Sequence, residues 1–309
     1  MKIAVMATGG VGAVFGAKLV EAGEDVTFLA RGAHLSALTE KGLTIACDGG
    51  ERHIEKINVT EDPSKVGVAD VVIFAVKLWD TKTAAEACKP MLGPESIVIP
   101  FQNGVTSSEM ISRVIGANHV GRGLSRVSAS IEEPGTIRQI GSFASLAFAE
   151  MDGTRSPRIE KFFDTCRRAK IDAEIPSNIL QALWRKYILL VTLSGMTTAA
   201  RQPMRSIIRE EEGLNTAIAC MTEVAAVGRA QDIDIPLSTV GKLEKVLQTM
   251  PLTLKASQAI DLEKGNRLEA PWLTGNICQM GRSKQVATPV NDALYAVIKP
   301  YIMGRPPNQ

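Results

Sequence analysis

Close to the start of the chain a short apolar run, Ile3-Ala4-Val5-Met6, leads directly into Ala7-Thr8-Gly9-Gly10-Val11-Gly12 and then into a helical pattern from Val11 to Ala22. A chain passing this quickly from a buried strand into a helix needs a tight turn, a backbone that a ligand can approach, and a helix packed hard on its strand. Gly9 and Gly12 meet the last two demands. The first position of the G-x-G-x-x-G pattern is held by Ala7, which fits the turn only with a negative φ. The helix start offers unpaired N–H groups to an anion. The segment therefore reads as a phosphate loop for a dinucleotide, the alternative being an ordinary strand–helix turn.

Beyond Ala22 the chain alternates strand and helix, the mark of a parallel sheet wrapped by helices. Gly23 closes the first helix and Asp25 to Leu29 is a second strand. Val71-Val72-Ile73-Phe74-Ala75 and Ile97-Val98-Ile99-Pro100-Phe101 are apolar throughout, as in strands covered on both faces. Thr81 to Met91 between them reads as helix. From Gly123 to Ala149, alternation with Pro134-Gly135 and Gly141 predicts antiparallel strands at a mixed sheet edge. After Ile175-Pro176-Ser177 only helices are expected, over Asn178 to Ala200, Ser206 to Gln231, Leu237 to Leu247 and Trp272 to Ser283, with Ser177 as a cap. The expected fold is α/β: an N-terminal Rossmann-type doubly wound sheet with antiparallel additions over 1–175, then an all-helical domain over 176–309. A chain of 309 residues suits two domains.

Composition removes several classes of function. Lys plus Arg is 35 against 33 Asp plus Glu, a net charge of +2, which argues against a polybasic partner of nucleic acid or membrane surfaces. Cys47, Cys88, Cys166, Cys220 and Cys278 are odd in number with no Cys-x-x-Cys, so neither a disulfide framework nor a zinc site is expected. With only His34, His53 and His119, no metal centre is expected either. The glycines interrupt any signal-peptide pattern, and Tyr187 to Leu193 is far too short to span a bilayer. A cytoplasmic enzyme is expected, with a loose tail from Gly304 to Gln309 that includes Pro306 and Pro307.

Ligands of open α/β sheets bind at the carboxyl ends of the strands. The second strand ends Leu29-Ala30-Arg31, with no carboxylate before Glu40. An acidic residue there would hold the ribose of NAD, whereas an arginine grips the 2′-phosphate of NADP; the alternative for Arg31 is a solvated surface residue. Lys77 ends the Val71 run and either faces the cofactor or is a loop lysine. Gln102-Asn103-Gly104 ends the next run, as a simple turn or as an amide for the nicotinamide ribose or a substrate oxygen.

On these features, together with Val76-Lys77, Leu183-Trp184-Arg185-Lys186 and the segment Ser257 to Glu269, the chain resembles the ketopantoate reductase (2-dehydropantoate 2-reductase) family over nearly its whole length. The resemblance implies an NADPH-dependent carbonyl reductase of pantothenate biosynthesis, cytoplasmic and homodimeric, acting on a small ketone. It places Ala7, Thr8, Gly9, Gly10, Val11 and Gly12 on the pyrophosphate, Arg31 on the 2′-phosphate, Lys77 along the cofactor, and Asn103 between nicotinamide and substrate. Lys186 matches the proton donor, Ser257 a substrate-holding residue, and Glu269 a carboxylate near both the lysine and the nicotinamide. The chemistry agrees: hydride addition to a ketone makes an alkoxide, which a nearby ammonium stabilises and protonates. By the residues alone, Lys186 reads first as a solvated or snorkelling lysine, and Glu269 could be only a charge before Pro271-Trp272; the resemblance reverses the reading of Lys186.

The departures concern the substrate. The family's asparagines one and two turns beyond the lysine are here Leu190 and Ser194, another falls on Met204, and its Glu-x-Asp reads Glu269-Ala270-Pro271. The reduction machinery is present while the substrate-binding positions have lost polarity, so a bulkier or less polar ketone, a diketone or a cyclic imine competes with 2-dehydropantoate. Two rivals stand beside this reading. A β-hydroxyacid-type dehydrogenase would show its own glycine-rich substrate loop, which is absent. A non-catalytic NADPH-binding redox sensor would tolerate loss of Lys186.

Overall fold

The computed structural model describes residues 1–304; the tail expected to be loose lies, from residue 305 on, outside them. The chain divides into two compact units, Met1–Ile179 and Leu180–Gln309. The first contains, in order, β1 (Lys2–Met6), α1 (Gly10–Glu21), β2 (Asp25–Leu29), α2 (Gly32–Lys41), β3 (Leu43–Cys47), β4 (Gly50–Ile54), β5 (Asn58–Thr60), β6 (Val71–Phe74), α3 (Thr81–Cys88), β7 (Ile97–Pro100), α4 (Ser107–Ile115), β8 (Gly121–Glu133), β9 (Thr136–Glu150), α5 (Pro157–Arg168) and β10 (Asp172–Glu174).

Five parallel strands form one sheet in the order β5-β2-β1-β6-β7. The chain moves outward from β1 to one side, then crosses to β6 and β7 on the other. That reversal makes the carboxyl end of β1 a switch point, where such sheets bind ligands. Side chains alternate between two cores. Ile3, Val5, Val71, Ile73, Ile97 and Ile99 pack with α1 and α5, while Ala4, Met6, Val72, Phe74 and Val98 pack with Ala84, Ala85, Cys88 and Ile111 of α3 and α4. Both faces are covered, which is why these strands read as unbroken apolar runs.

The antiparallel segment corrects the expected mixed edge. β8 and β9 form a long hairpin in a second sheet, ordered β10-β9-β3-β4 with β8 against β9. Its inward residues Ile137, Leu146 and Phe148 enter the core that holds Ala13, Phe15, Ala17 and Leu19 of α1. The helix thus contacts strands of both sheets, an arrangement that an added edge strand would not provide.

The second unit is helical: α6 (Ile179–Ala200), α7 (Met204–Ile207), α8 (Glu211–Ala230), α9 (Thr239–Thr249), α10 (Ser257–Glu263), α11 (Thr274–Lys284) and α12 (Pro289–Ile298). The helix expected over Ser206 to Gln231 is broken in two, and the one expected over Trp272 to Ser283 begins later, at Thr274. Between α7 and α8, Glu210 is extended and Gly213 lies where a Cβ would stand 1.8 Å from the Ile207 carbonyl oxygen, so the new helix starts against the end of the old one. Before α11, a 3-10 turn over Ala270–Trp272 ends at Leu273, whose ψ of −100° breaks the spiral. Among the described residues no helix is long and apolar enough to cross a membrane.

Phe148 is fully buried, edge-on to Phe101 at 6.3 Å and against Phe162 at 4.7 Å. Phe148→Ala is expected to cost about 3–5 kcal/mol through the cavity it leaves, seen as a lower urea midpoint with an unchanged slope.

Candidate functional site

The loop after β1 departs from expectation at its first residue. Ala7 has φ +79°, a left-handed conformation in which a Cβ costs about 1–2 kcal/mol. The next residue explains it. The Thr8 N–H and hydroxyl both donate to the Leu29 carbonyl at the end of β2, at 3.0 and 2.9 Å, which draws the chain sideways over the sheet. The Thr8 side chain is buried and committed to this tether.

The glycines divide the work. A Cβ on Gly10 would stand 2.1 Å from the Ala129 carbonyl oxygen in β8, and one on Gly12 would stand 2.3 Å from the Ala7 oxygen and 2.7 Å from Val5 Cγ1. Both permit close packing. Gly9 has nothing within 4 Å of its Cβ position. It is the N-cap of α1, with no side-chain cap and no acidic residue in the first turn. The first-turn N–H groups, those of Gly10, Val11 and Gly12, have no acceptor within the helix. The space over Gly9, which a side chain would fill, and the positive end of the helix dipole together suit a pyrophosphate.

The other candidates in this unit lie along the same carboxyl ends. Arg31 is exposed at the N-cap of α2, whose first turn also lacks an acidic residue, so a cation and a helix dipole meet at one place. Lys77 is exposed beyond β6, its Nζ 5.7 Å from the centre of the Trp79 ring. Half-buried Asn103 follows Gln102, whose Nε2 donates to the Val76 carbonyl and the Thr81 hydroxyl, each at 2.9 Å. Gln102 thereby laces the loops after β6 and β7 together and fixes the setting of Asn103.

In the second unit, Lys186, Leu190 and Ser194 stand at successive turns of α6, on one face. Lys186 and Leu190 are half-buried. Ser194 is fully buried, and its hydroxyl has no hydrogen-bond partner among the described residues. Tyr187 is buried with its hydroxyl 3.0 Å from the carbonyl oxygens of both Trp272 and Leu273, and it accepts from Asn276 Nδ2 at 3.2 Å. Burial pushes this phenol's pKa up, so it stays a donor. It pins the turn capped by Glu269 to the helix bearing Lys186. Glu269 is buried, an uncommon place for a carboxylate, and both Glu269 and Lys186 are engaged by neighbouring groups.

Ser257 opens α10 but is exposed, whereas Gln258 is buried. Gln258 Nε2 donates to the Ser194 carbonyl at 3.4 Å and the Thr198 hydroxyl at 3.3 Å, and its Oε1 has no partner among the described residues. Met204 is buried at the start of α7, its N–H bonded to the Leu254 carbonyl. Sequence reading gave no role to Tyr187 or Gln258; only the latter had a signal, its place beside Ser257. Burial pushes the thiols of Cys88, Cys220 and Cys278 up to about 12 and raises Cys166 as well, so none of these four is poised as a nucleophile.

Comparison with known proteins bears on the chain as a whole. The family model described as ketopantoate reductase PanE/ApbA matches residues 3–153, and that of its C-terminal domain matches 178–301. The chain is 29% identical over 306 residues to an uncharacterized oxidoreductase, YkpB, of Bacillus subtilis, covering 97% of this chain and 99% of that protein. It is 26% identical over 302 residues to a 2-dehydropantoate 2-reductase of Pyrococcus horikoshii, covering 97% of each. A crystal structure of a PanE/ApbA family ketopantoate reductase from Ralstonia eutropha matches it with a TM-score of 0.89 at 28% identity, over 97% of this chain and 98% of that one.

The two central glycines are separable by experiment. Gly10→Ala forces a methyl onto the Ala129 carbonyl and is expected to cost at least about 1–3 kcal/mol, whereas Gly9→Ala should unfold within about 0.5 kcal/mol of the wild type. Urea denaturation of both variants checks this; equal losses would remove the division of roles.

Proposed function

The chain belongs to the ketopantoate reductase family, and from that premise we propose that it reduces a 2-oxo acid with NADPH, using Lys186 as proton donor. It is an oxidoreductase acting on C=O. One observation carries the choice of cofactor: the uncapped start of α1 over Gly9 with Arg31, and no carboxylate, at the neighbouring strand end. In this reading Gly9 and the first-turn N–H groups of α1 hold the pyrophosphate, and Arg31 grips the 2′-phosphate through its planar fork of donors. Ala7, Thr8, Gly10 and Gly12 keep the loop in shape rather than touching the ligand through side chains. Lys77 lines the nicotinamide half, and Asn103 donates to the ribose or to a substrate oxygen.

When bound, the reduced nicotinamide supplies a hydride to the carbonyl carbon. Lys186 stabilises the negative charge growing on the oxygen and gives that oxygen its proton. Glu269 orients the amine, and Tyr187 holds the Glu269 turn. Leu190 and Ser194 occupy the face beyond the lysine where the family's asparagines would stand, with Ser257 and Gln258 beside it. Replacing an amide by an isobutyl group removes hydrogen bonds and adds apolar surface, so the substrate proposed is a 2-oxo acid bulkier and less polar than 2-dehydropantoate.

Lys186→Ala is expected to lower NADPH oxidation by about 100-fold or more with little change in NADPH affinity by fluorescence titration; near-wild-type turnover would remove Lys186 from the chemistry. Arg31→Ala should raise the KM for NADPH by about tenfold and leave that for NADH nearly unchanged, while equal losses for both would show that Arg31 does not read the phosphate. The substrate class is tested by NADPH consumption over 2-oxo acids graded in side-chain size, with diketones and cyclic imines alongside.

A further inference from the structure

His34, in the first turn of α2, is fixed from both sides of its ring. Nε2 lies 2.8 Å from the Thr8 carbonyl oxygen, and the backbone nitrogen of Gly135, between β8 and β9, lies 3.0 Å from Nδ1. A carbonyl only accepts and a backbone N–H only donates. The tautomer is therefore dictated, with Nε2 protonated and donating and Nδ1 bare and accepting. An imidazolium would turn a second N–H toward that of Gly135, so the arrangement requires the neutral ring.

Both bonds bear on the strained part of the phosphate loop. The Thr8 carbonyl follows Ala7 directly, and the N–H and hydroxyl of Thr8 are held on the other side by Leu29. Gly135 is itself anchored: its carbonyl accepts from the Thr44 N–H at 3.0 Å, and a Cβ there would stand 3.2 Å from that of Ala37. The hairpin also meets the loop where Gly10 abuts the Ala129 carbonyl. We propose that His34 is a positioning residue for the dinucleotide: its neutral ring couples the phosphate loop to the β8–β9 hairpin and holds Ala7 to Gly9 in binding geometry before the ligand arrives. The proposal rests on the reading of that loop as the pyrophosphate site.

Burial lowers the pKa of His34, and the bond to the Thr8 carbonyl partly raises it again; no charged group contributes. Charged residues do lie on the elements it joins. Glu132 pairs with Arg138 and Glu133 accepts from the Thr136 hydroxyl in the hairpin. On α2, Arg31 stands at the N-cap one turn before His34 and Glu40 and Lys41 at the far end, and the segment from Ala7 to Val14 has none. The brace is complete at pH well above 6.5, the ordinary histidine value. Its contribution is lost as the pH falls below that value, because the unfolded or released ring takes up the proton first.

The test measures Kd and KM for NADPH and kcat, from pH 8 to 5.5, for the wild type, His34→Ala and His34→Gln. His34→Ala should raise Kd and KM about tenfold with kcat at saturating NADPH within about twofold, and His34→Gln, whose amide offers both an N–H donor and an oxygen acceptor, should recover most of the affinity. The wild type should lose affinity on acidification more steeply than His34→Gln. The 2′-phosphate titrates in the same range, so the difference between the two proteins is the readout. Wild-type Kd in His34→Ala overturns the proposal, as does a loss confined to kcat. Should His34→Ala not fold, an acid limb in His34→Gln identical to that of the wild type overturns it. A wild type that binds neither NADPH nor NADH at any pH instead defeats the phosphate-loop reading, and this proposal with it.

Discussion

The close approach of α1 to β1 and β2 governs the first unit. At Gly12 a single Cβ would collide with Val5 and the Ala7 carbonyl, and at Gly16 it would come within 2.4 Å of Phe28 Cε1. Without side chains on this stripe the helix lies close enough to the sheet for its first turn to open at the carboxyl ends of the strands. The β8–β9 hairpin covers the helix from outside, contributing Ile137, Leu146 and Phe148 to one continuous core. A helix held on both sides cannot shift without opening that core, so its N–H groups point to a fixed place.

Holding the helix there strains the turn before it. Ala7 accepts a positive φ at about 1–2 kcal/mol, a cost of the same order as the net gain from the two bonds that Thr8 makes to Leu29. The second unit uses a similar device. Tyr187 bridges two carbonyls of the irregular stretch before α11, so that Glu269 sits on a turn with no freedom to drift from α6. In both units a buried side chain bonded to backbone carbonyls sets the local geometry.

Sequence reading recovered what local pattern encodes. β2 spans Asp25–Leu29 as expected, the strands at Val71 and Ile97 follow from their apolar runs, and α1 differs by one residue at each end. It failed where structure depends on partners far along the chain. β5 has three residues, β4 is largely exposed, and α2 buries only Leu38, so no periodic signal marks them. The second sheet joins β3 to β9 across some ninety residues of sequence, a pairing that alternation within β9 cannot reveal. At the site, residue types were legible and conformations were not. The glycine loop and Arg31 stand out in the string, but the sign of φ at Ala7 follows from a tether to Leu29, and the role of His34 from a hairpin turn a hundred residues away.

On α6 the hydroxyls of Thr192 and Thr197 turn back to the carbonyls of Ile188 and Leu193, at 3.0 and 2.6 Å, the usual resolution for a hydroxyl inside a helix. Ser194 is equally buried yet does not. A buried hydroxyl without a partner costs about 1–3 kcal/mol, and Gln258 Oε1 beside it carries a similar penalty. Two unfulfilled polar atoms therefore lie buried one turn beyond Leu190 on the helix face that carries Lys186. If the proposed reading holds, a 2-oxo acid with an apolar branch and a distal hydroxyl or carbonyl would meet Leu190 and those two atoms together. In the proposed reading its binding removes the penalty that the free enzyme carries, so polarity at Ser194 and Gln258 discriminates between substrates without taking part in the proton transfer.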